Sequence, residues 1–217
     1  IMMNLFNIFD PSTSILNLQL NWLTTMIIVI FMPNMIWIIP NRLMMMNFII
    51  TNNLNKEMLM LFKTKKIKSP SFIFINLFMF IFLNNFLSLF PYIFSSSSHM
   101  IFSLTLALPF WMFFIIMSMT KDLKNMIIHL IPLNTPLMLS PLMTIIETMS
   151  IFIRPLSLSI RLTANLIAGH LLMTLLNFSS LMLIIMFIQM FLMMFELCVA
   201  MIQSYVFSML SSLYSSE

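Results

Sequence analysis

Apolar residues run along this chain in long blocks, broken by short polar stretches. Such blocks predict helices that are apolar all round, and about 20 residues of this kind cross about 30 Å of hydrocarbon. The first block predicts a crossing from Trp22 to Ile39, with Pro33 inside it. Leu43 to Phe62 mixes apolar positions with Asn47, Asn52, Asn53, Asn55, Lys56 and Glu57. That mixture suits a helix lying along a membrane surface. A basic loop follows, with Lys63, Lys65, Lys66 and Lys68 ahead of Ser69-Pro70. Phe72 to Phe94 predicts the second crossing and carries the polar pair Asn84-Asn85. The turn Ser95–His99 closes it, and Met100 to Thr120 predicts the third.

The last part of the chain has a different scale. Residues 137–177 are mostly apolar and predict one helix disturbed at Pro155, roughly 60 Å long at 1.5 Å per residue. Residues 181–213 predict a second of roughly 50 Å. Both exceed the hydrocarbon thickness, so each must tilt, bend or run partly along the membrane. Joined near Phe178-Ser179-Ser180, they predict an inclined hairpin. The expected fold is an all-α polytopic membrane protein. It has about five membrane helices and one surface amphipathic helix, the last two membrane helices forming a long tilted hairpin. Residues 1–217 read as a single integral membrane domain, with amino-terminal helices and loops over 1–136 and the hairpin over 137–217.

Composition strengthens this picture. Hydrophobic residues make up 61% of the chain and charged residues 7%, against about 25% charged in soluble domains. Such a chain cannot cover itself with polar groups, so lipid is its solvent. The single glycine and 27 methionines suit an AT-rich mitochondrial gene. No cleavable targeting segment is expected, because the first apolar stretch lacks a basic flank and a small-residue cleavage site. The net charge of +4 comes from basic residues outside the apolar runs, with no basic helix or stacking platform, so no nucleic acid is expected. Eight of the ten basic residues fall on one face of the predicted topology, in Arg42–Lys68 and at Lys121 and Lys124. The positive-inside rule makes that face the matrix. The amino terminus and the serine turn then face the intermembrane space, and the carboxy terminus faces the matrix. The lone Cys198 reads as a small hydrophobe. No metal set and no phosphate loop are present in the sequence, and no cofactor is expected.

Chemistry concentrates in the hairpin. From residue 137 to 216, five residues can readily carry charge: Glu147, Arg154, Arg161, His170 and Glu196. Charges in hydrocarbon are costly and mark function. Glu147, Arg154 and Arg161 are seven apart, near one helix face, whereas Arg161 and His170 are nine apart, about 180° around it. Glu196 and Gln203 are again seven apart on the return helix. Closing the hairpin near Ser179 puts Glu196 about level with His170 and Gln203 nearer Arg161. Arginine only donates hydrogen bonds and stays charged, so it can attract a partner's carboxylate and block a proton path. Histidine and glutamate can relay protons. Titratable groups on either side of a permanent cation describe two half-channels that do not meet. Structural alternatives stand beside these roles. Arg154 suits a snorkelling cation or a partner of Glu147, and Glu147 can be the structural half of that pair. His170 can be a hydrogen-bonded core histidine, and Glu196 can fill a polar gap between helices. His99 and His129 read as loop or interface residues.

The stretch from Arg154 to Leu172, RPLSLSIRLTANLIAGHLL, resembles the signature of subunit a of the ATP synthase of animal mitochondria. So do Phe9-Asp10-Pro11-Ser12-Thr13, Phe90-Pro91-Tyr92, Leu106-Ala107-Leu108-Pro109, Met201–Phe207 and Leu213–Glu217. The resemblance spans essentially the whole chain. It implies a non-catalytic, proton-translocating stator subunit of the mitochondrial inner membrane. Arg161 falls on the arginine that faces the carboxylates of the rotating c-ring, with Asn165 and Gln203 on polar positions beside it. His170 and Glu196 match the inlet half-channel from the intermembrane space, and Glu147 the outlet to the matrix. The implied partners are the c-ring, subunit b of the peripheral stalk, other small Fo subunits, lipid and protons. One departure is Leu133-Asn134-Thr135-Pro136, where a Gln-Gly-Thr-Pro-like segment is expected. Three rivals fit less well. A redox-driven pump subunit would carry lysines in its long helices, a secondary transporter would show inverted repeats, and a pure scaffold would bury no ionisable residues.

Overall fold

The computed structural model describes residues 9–13, 18–31, 39–61, 70–90, 93–121, 123–131, 136, 138–177 and 182–216. Among these residues the chain forms seven α-helices: α1 (Leu23–Phe31), α2 (Arg42–Leu61), α3 (Pro70–Ser88), α4 (Met100–Lys121), α5 (Leu123–Leu130), α6 (Ser140–Asn177) and α7 (Met182–Ser216). Short 3₁₀ turns stand at Leu20–Trp22 and Ser96–Ser98. Four helices, α3, α4, α6 and α7, are long and apolar enough to cross a membrane. The rest of the first predicted crossing, including Pro33, lies outside the described residues. So do the basic loop, Leu133–Thr135 and the hairpin turn at Phe178-Ser179-Ser180.

Two boundaries differ from the hydrophobic pattern. α3 stops at Ser88 although apolar residues continue to Phe94. The hydroxyl of Ser88 donates to the carbonyl of Asn85, and the amides of Leu89 and Phe90 bond three residues back. The helix thus tightens into a 3₁₀ turn ahead of Pro91, whose ring disfavours helical backbone before it. The pattern also predicts no element between Thr120 and Leu137, where the chain forms α5. No glycine or proline stands between Lys121 and Ile131 to break it.

Packing inverts the soluble arrangement. Large apolar side chains such as Phe187, Phe191, Phe195, Ile145 and Phe152 point outward. Serines are buried: Ser103 on α4, Ser159 on α6, and Ser204, Ser208, Ser211 and Ser212 on α7. In lipid the hydrophobic effect does not drive helices together, so close approach of small residues does. Their hydroxyls donate to carbonyls three residues back, for example Ser204 to Met201 and Ser208 to Tyr205. That satisfies the hydroxyl donors of these six serines within their own helices. The core joins Leu77 and Ile81 of α3, Ala107 of α4, Leu158, Leu162 and Leu166 of α6, and Phe207 of α7. A second cluster seats α2 on α3 and α7 through Leu54, Met58, Ile75 and Met209. The hydroxyl of Tyr205 donates to Glu57 at 3.1 Å, a further tie between α7 and α2.

Candidate functional site

The four-residue spacing of Leu158, Leu162 and Leu166 places one stripe of α6 in the core. Helical geometry puts Arg161 about 100° around the helix from the middle of that stripe. Ile160, Arg161, Ala164, Asn165 and Ala168 are all exposed, so Arg161 lies in a stripe that the described residues do not cover. Among the described residues Arg161 has no ion pair and no hydrogen bond. An arginine without a counter-charge in a crossing helix is expensive. No carboxylate neutralises it among the described residues. Asn165, one turn further on, extends the same face.

His170 sits near the far end of α6, half-buried. The ring of Phe9 meets it edge-on at 6.2 Å, and the imidazole lies close to the backbone of Ser88 at the end of α3. Next to it is Gly169, the only glycine in the chain. A Cβ built there would stand 2.8 Å from Cδ and Oε1 of Glu196 on α7. The carboxyl group thus occupies the space that the missing side chain leaves, one residue from the histidine. Nε2 of His170 and Oε1 of Glu196 are both buried and have no hydrogen-bond partner. The predicted level of Glu196 beside His170 agrees with this geometry. Gln203, two turns further along α7, is half-buried.

Glu147 belongs to the opposite end of α6. Its Oε1 lies 4.0 Å from a guanidinium nitrogen of Arg154. The guanidinium also lies over the ring of Tyr214, 5.1 Å from its centroid. Of the alternatives for Arg154, the pairing with Glu147 is therefore formed.

The structure adds residues that the sequence reading assigned to no site. Asn84, Asn85, Ser88 and Ser95 to Ser98 are all buried around the end of α3 and the turn that follows. Ser96 donates to Asn84 at 3.3 Å. Oδ1 of Asn85, Oγ of Ser97 and Nε2 of His99 are buried without partners. His99 is held between Trp22 and Phe94, with ring centroids 5.3 Å from each. The turn packs on α6. A polar pair inside an apolar run, and a lone glycine beside a histidine, were the signals for this wall.

A multi-pass membrane protein with an unpaired arginine on one helix and titratable groups toward both ends belongs to the class that moves ions across membranes. The family model for the ATP synthase A chain matches residues 18–216. The chain is 76% identical over 214 residues to the ATP synthase F(0) complex subunit a of Rhopalosiphum padi, covering 99% of each. It is 46% identical over 223 residues to ATP synthase subunit a of Aedes aegypti and 46% over 222 residues to that of Drosophila melanogaster, covering 100% of this chain and 99% of each relative. The chain belongs to the ATP synthase A chain family, the proton-translocating membrane subunits of the Fo sector. It is thus a channel subunit of the enzyme complex and not its catalytic part.

Proposed function

We propose that this chain carries protons through two offset half-channels in the mitochondrial inner membrane, with Arg161 between them facing the carboxylates of a rotating c-ring. The single observation that carries the reading is the guanidinium of Arg161, which among the described residues has no partner and stands on an uncovered helix face. A proton enters from the intermembrane space by way of His170 and Glu196 and neutralises a c-ring carboxylate. The neutral site then turns into lipid, where a charged one could not go. After nearly a full rotation it meets the outlet beside Glu147 and releases its proton to the matrix. Arg161 stays protonated, so it blocks a direct proton route and attracts the ionised carboxylate. Asn165 and Gln203 are polar groups flanking that contact. The membrane potential supplies about 2.3 kcal/mol per charge per 100 mV. The amino terminus faces the intermembrane space and the carboxy terminus the matrix. The partners are the c-ring, subunit b of the peripheral stalk and other small Fo subunits.

The test is Arg161→Ala in assembled complex. The expected result is complete loss of coupled ATP synthesis with normal assembly on native gels. Coupled synthesis at the normal rate would overturn the role of Arg161.

A further inference from the structure

We infer that Arg154 is a positioning residue of the outlet, and that its own position is set by the ring of Tyr214 with Trp111 behind it. The inference rests on the reading of Glu147 as the outlet carboxylate. Glu147 and Arg154 lie two turns apart on α6, about 10 Å along the axis. Side chains at that spacing meet only if the guanidinium is turned back toward the amino-terminal end of the helix. Cα–Cβ bonds already tilt that way, but a long side chain has many rotamers and loses entropy when one is selected.

The structure shows what selects it. The guanidinium lies over the ring of Tyr214, in the last turn of α7. The face of an aromatic ring attracts a cation, most strongly where water is excluded. Tyr214 meets Trp111 of α4 edge-on at 4.8 Å with the ring planes at 90°, the preferred aromatic geometry. Trp111 is buried at 9% exposure, so the column has a fixed base. Behind Arg154, Pro155 is buried against the same helices. Trp111, Tyr214, Arg154 and Glu147 thus form one line of contacts from α4 through α7 to α6. A cation that merely snorkelled would need no such seat. Arg154 cannot carry the proton; it fixes where the carboxylate that does so stands. The last turn of α7 is thereby part of the outlet's support, although it holds no titrating group of that path.

The test is a double-mutant cycle on ATP synthesis per assembled complex, in mitochondria whose synthase carries the substituted chain. R154Q and Y214L should each slow synthesis about 2- to 30-fold, the range that about 0.5–2 kcal/mol represents. The R154Q/Y214L pair should be no slower than R154Q alone, because Tyr214 acts through Arg154. Y214F, which keeps the ring, should restore the rate to within about twofold of the unsubstituted chain. Multiplied losses in the pair, or a normal rate in Y214L, overturn the inference. If Y214L leaves too little complex, Y214M fills the space without an aromatic face and is judged by the same outcomes. A normal rate in R154Q with a dead Arg161→Ala complex rejects the outlet assignment of Arg154 and keeps the role of Arg161. A normal rate in Arg161→Ala rejects the functional reading itself.

Discussion

The two ends of the α6–α7 pair treat a partly exposed carboxyl group in opposite ways. Glu147 is set against a permanent cation that is itself stacked on an aromatic ring. Glu196 lies over a glycine that adjoins His170, and among the described residues its Oε1 and the histidine's Nε2 have no hydrogen-bond partner. A buried polar atom left without a partner costs about 1–3 kcal/mol, so Oε1 of Glu196 and Nε2 of His170 both favour a further polar contact. Unpaired donors and acceptors are free to exchange protons; a paired carboxylate is held in place. The difference suits a group that must pick up and hand on a proton at one end, and one that must stand at a fixed position at the other.

That contrast is broken most directly by Glu196→Gln. The substitution keeps the shape and removes the proton site, so synthesis per complex should fall about a hundredfold or more. Glu147→Gln should fall less, and equal losses at both ends would end the comparison. Rates of ATP synthesis normalised to complex on native gels measure both.

Gly169→Ala probes the clearance at the same end. The added methyl would crowd the tip of the Glu196 side chain, which can swing away. Assembly should survive while synthesis drops about tenfold to a hundredfold, as for a misplacement of roughly 1 Å in a reacting group. Normal synthesis would show that the position of Glu196 is not critical.

The smallest expected effect on turnover concerns the seam that both ends share. Ser208 of α7 is fully buried, and α7 packs along α3. Ser208→Leu overpacks that position at a cost of about 1–3 kcal/mol. The amount of complex surviving a detergent titration should fall, with turnover per surviving complex nearly unchanged. A large loss of turnover without loss of complex would mean that the seam tunes one of the paths.

Much of the fold was legible in the chain. The long apolar blocks predicted α4, α6 and α7 within a few residues, because a helix in lipid must satisfy its backbone internally. The end of α3 was not legible: apolar residues run on past Ser88, and local hydrogen bonding with Pro91 beyond stops the helix first. α5 was missed because eight residues are too few for a clear period. The candidate residues were legible for the plain reason that charge is rare in apolar helices. Their surroundings were not. Neither spacing nor composition says that Tyr214 seats Arg154, or that Oδ1 of Asn85, Oγ of Ser97 and Nε2 of His99 are buried without hydrogen-bond partners among the described residues.

The sequence by itself determined that lipid surrounds this chain, that its last helices are too long to stand upright, and that Glu147, Arg161, His170 and Glu196 are among the few residues of those helices able to carry charge. Those conclusions follow from the period of a helix and the cost of charge in hydrocarbon, which are local properties. Only the tertiary structure decided which polar atoms meet. Glu196 reaches Gly169 from another helix, and Tyr214 reaches Arg154 across 60 residues of chain. Such contacts depend on how buried serines let helices approach and on the rotation of each helix about its axis. Both are settled by packing between segments far apart in the chain.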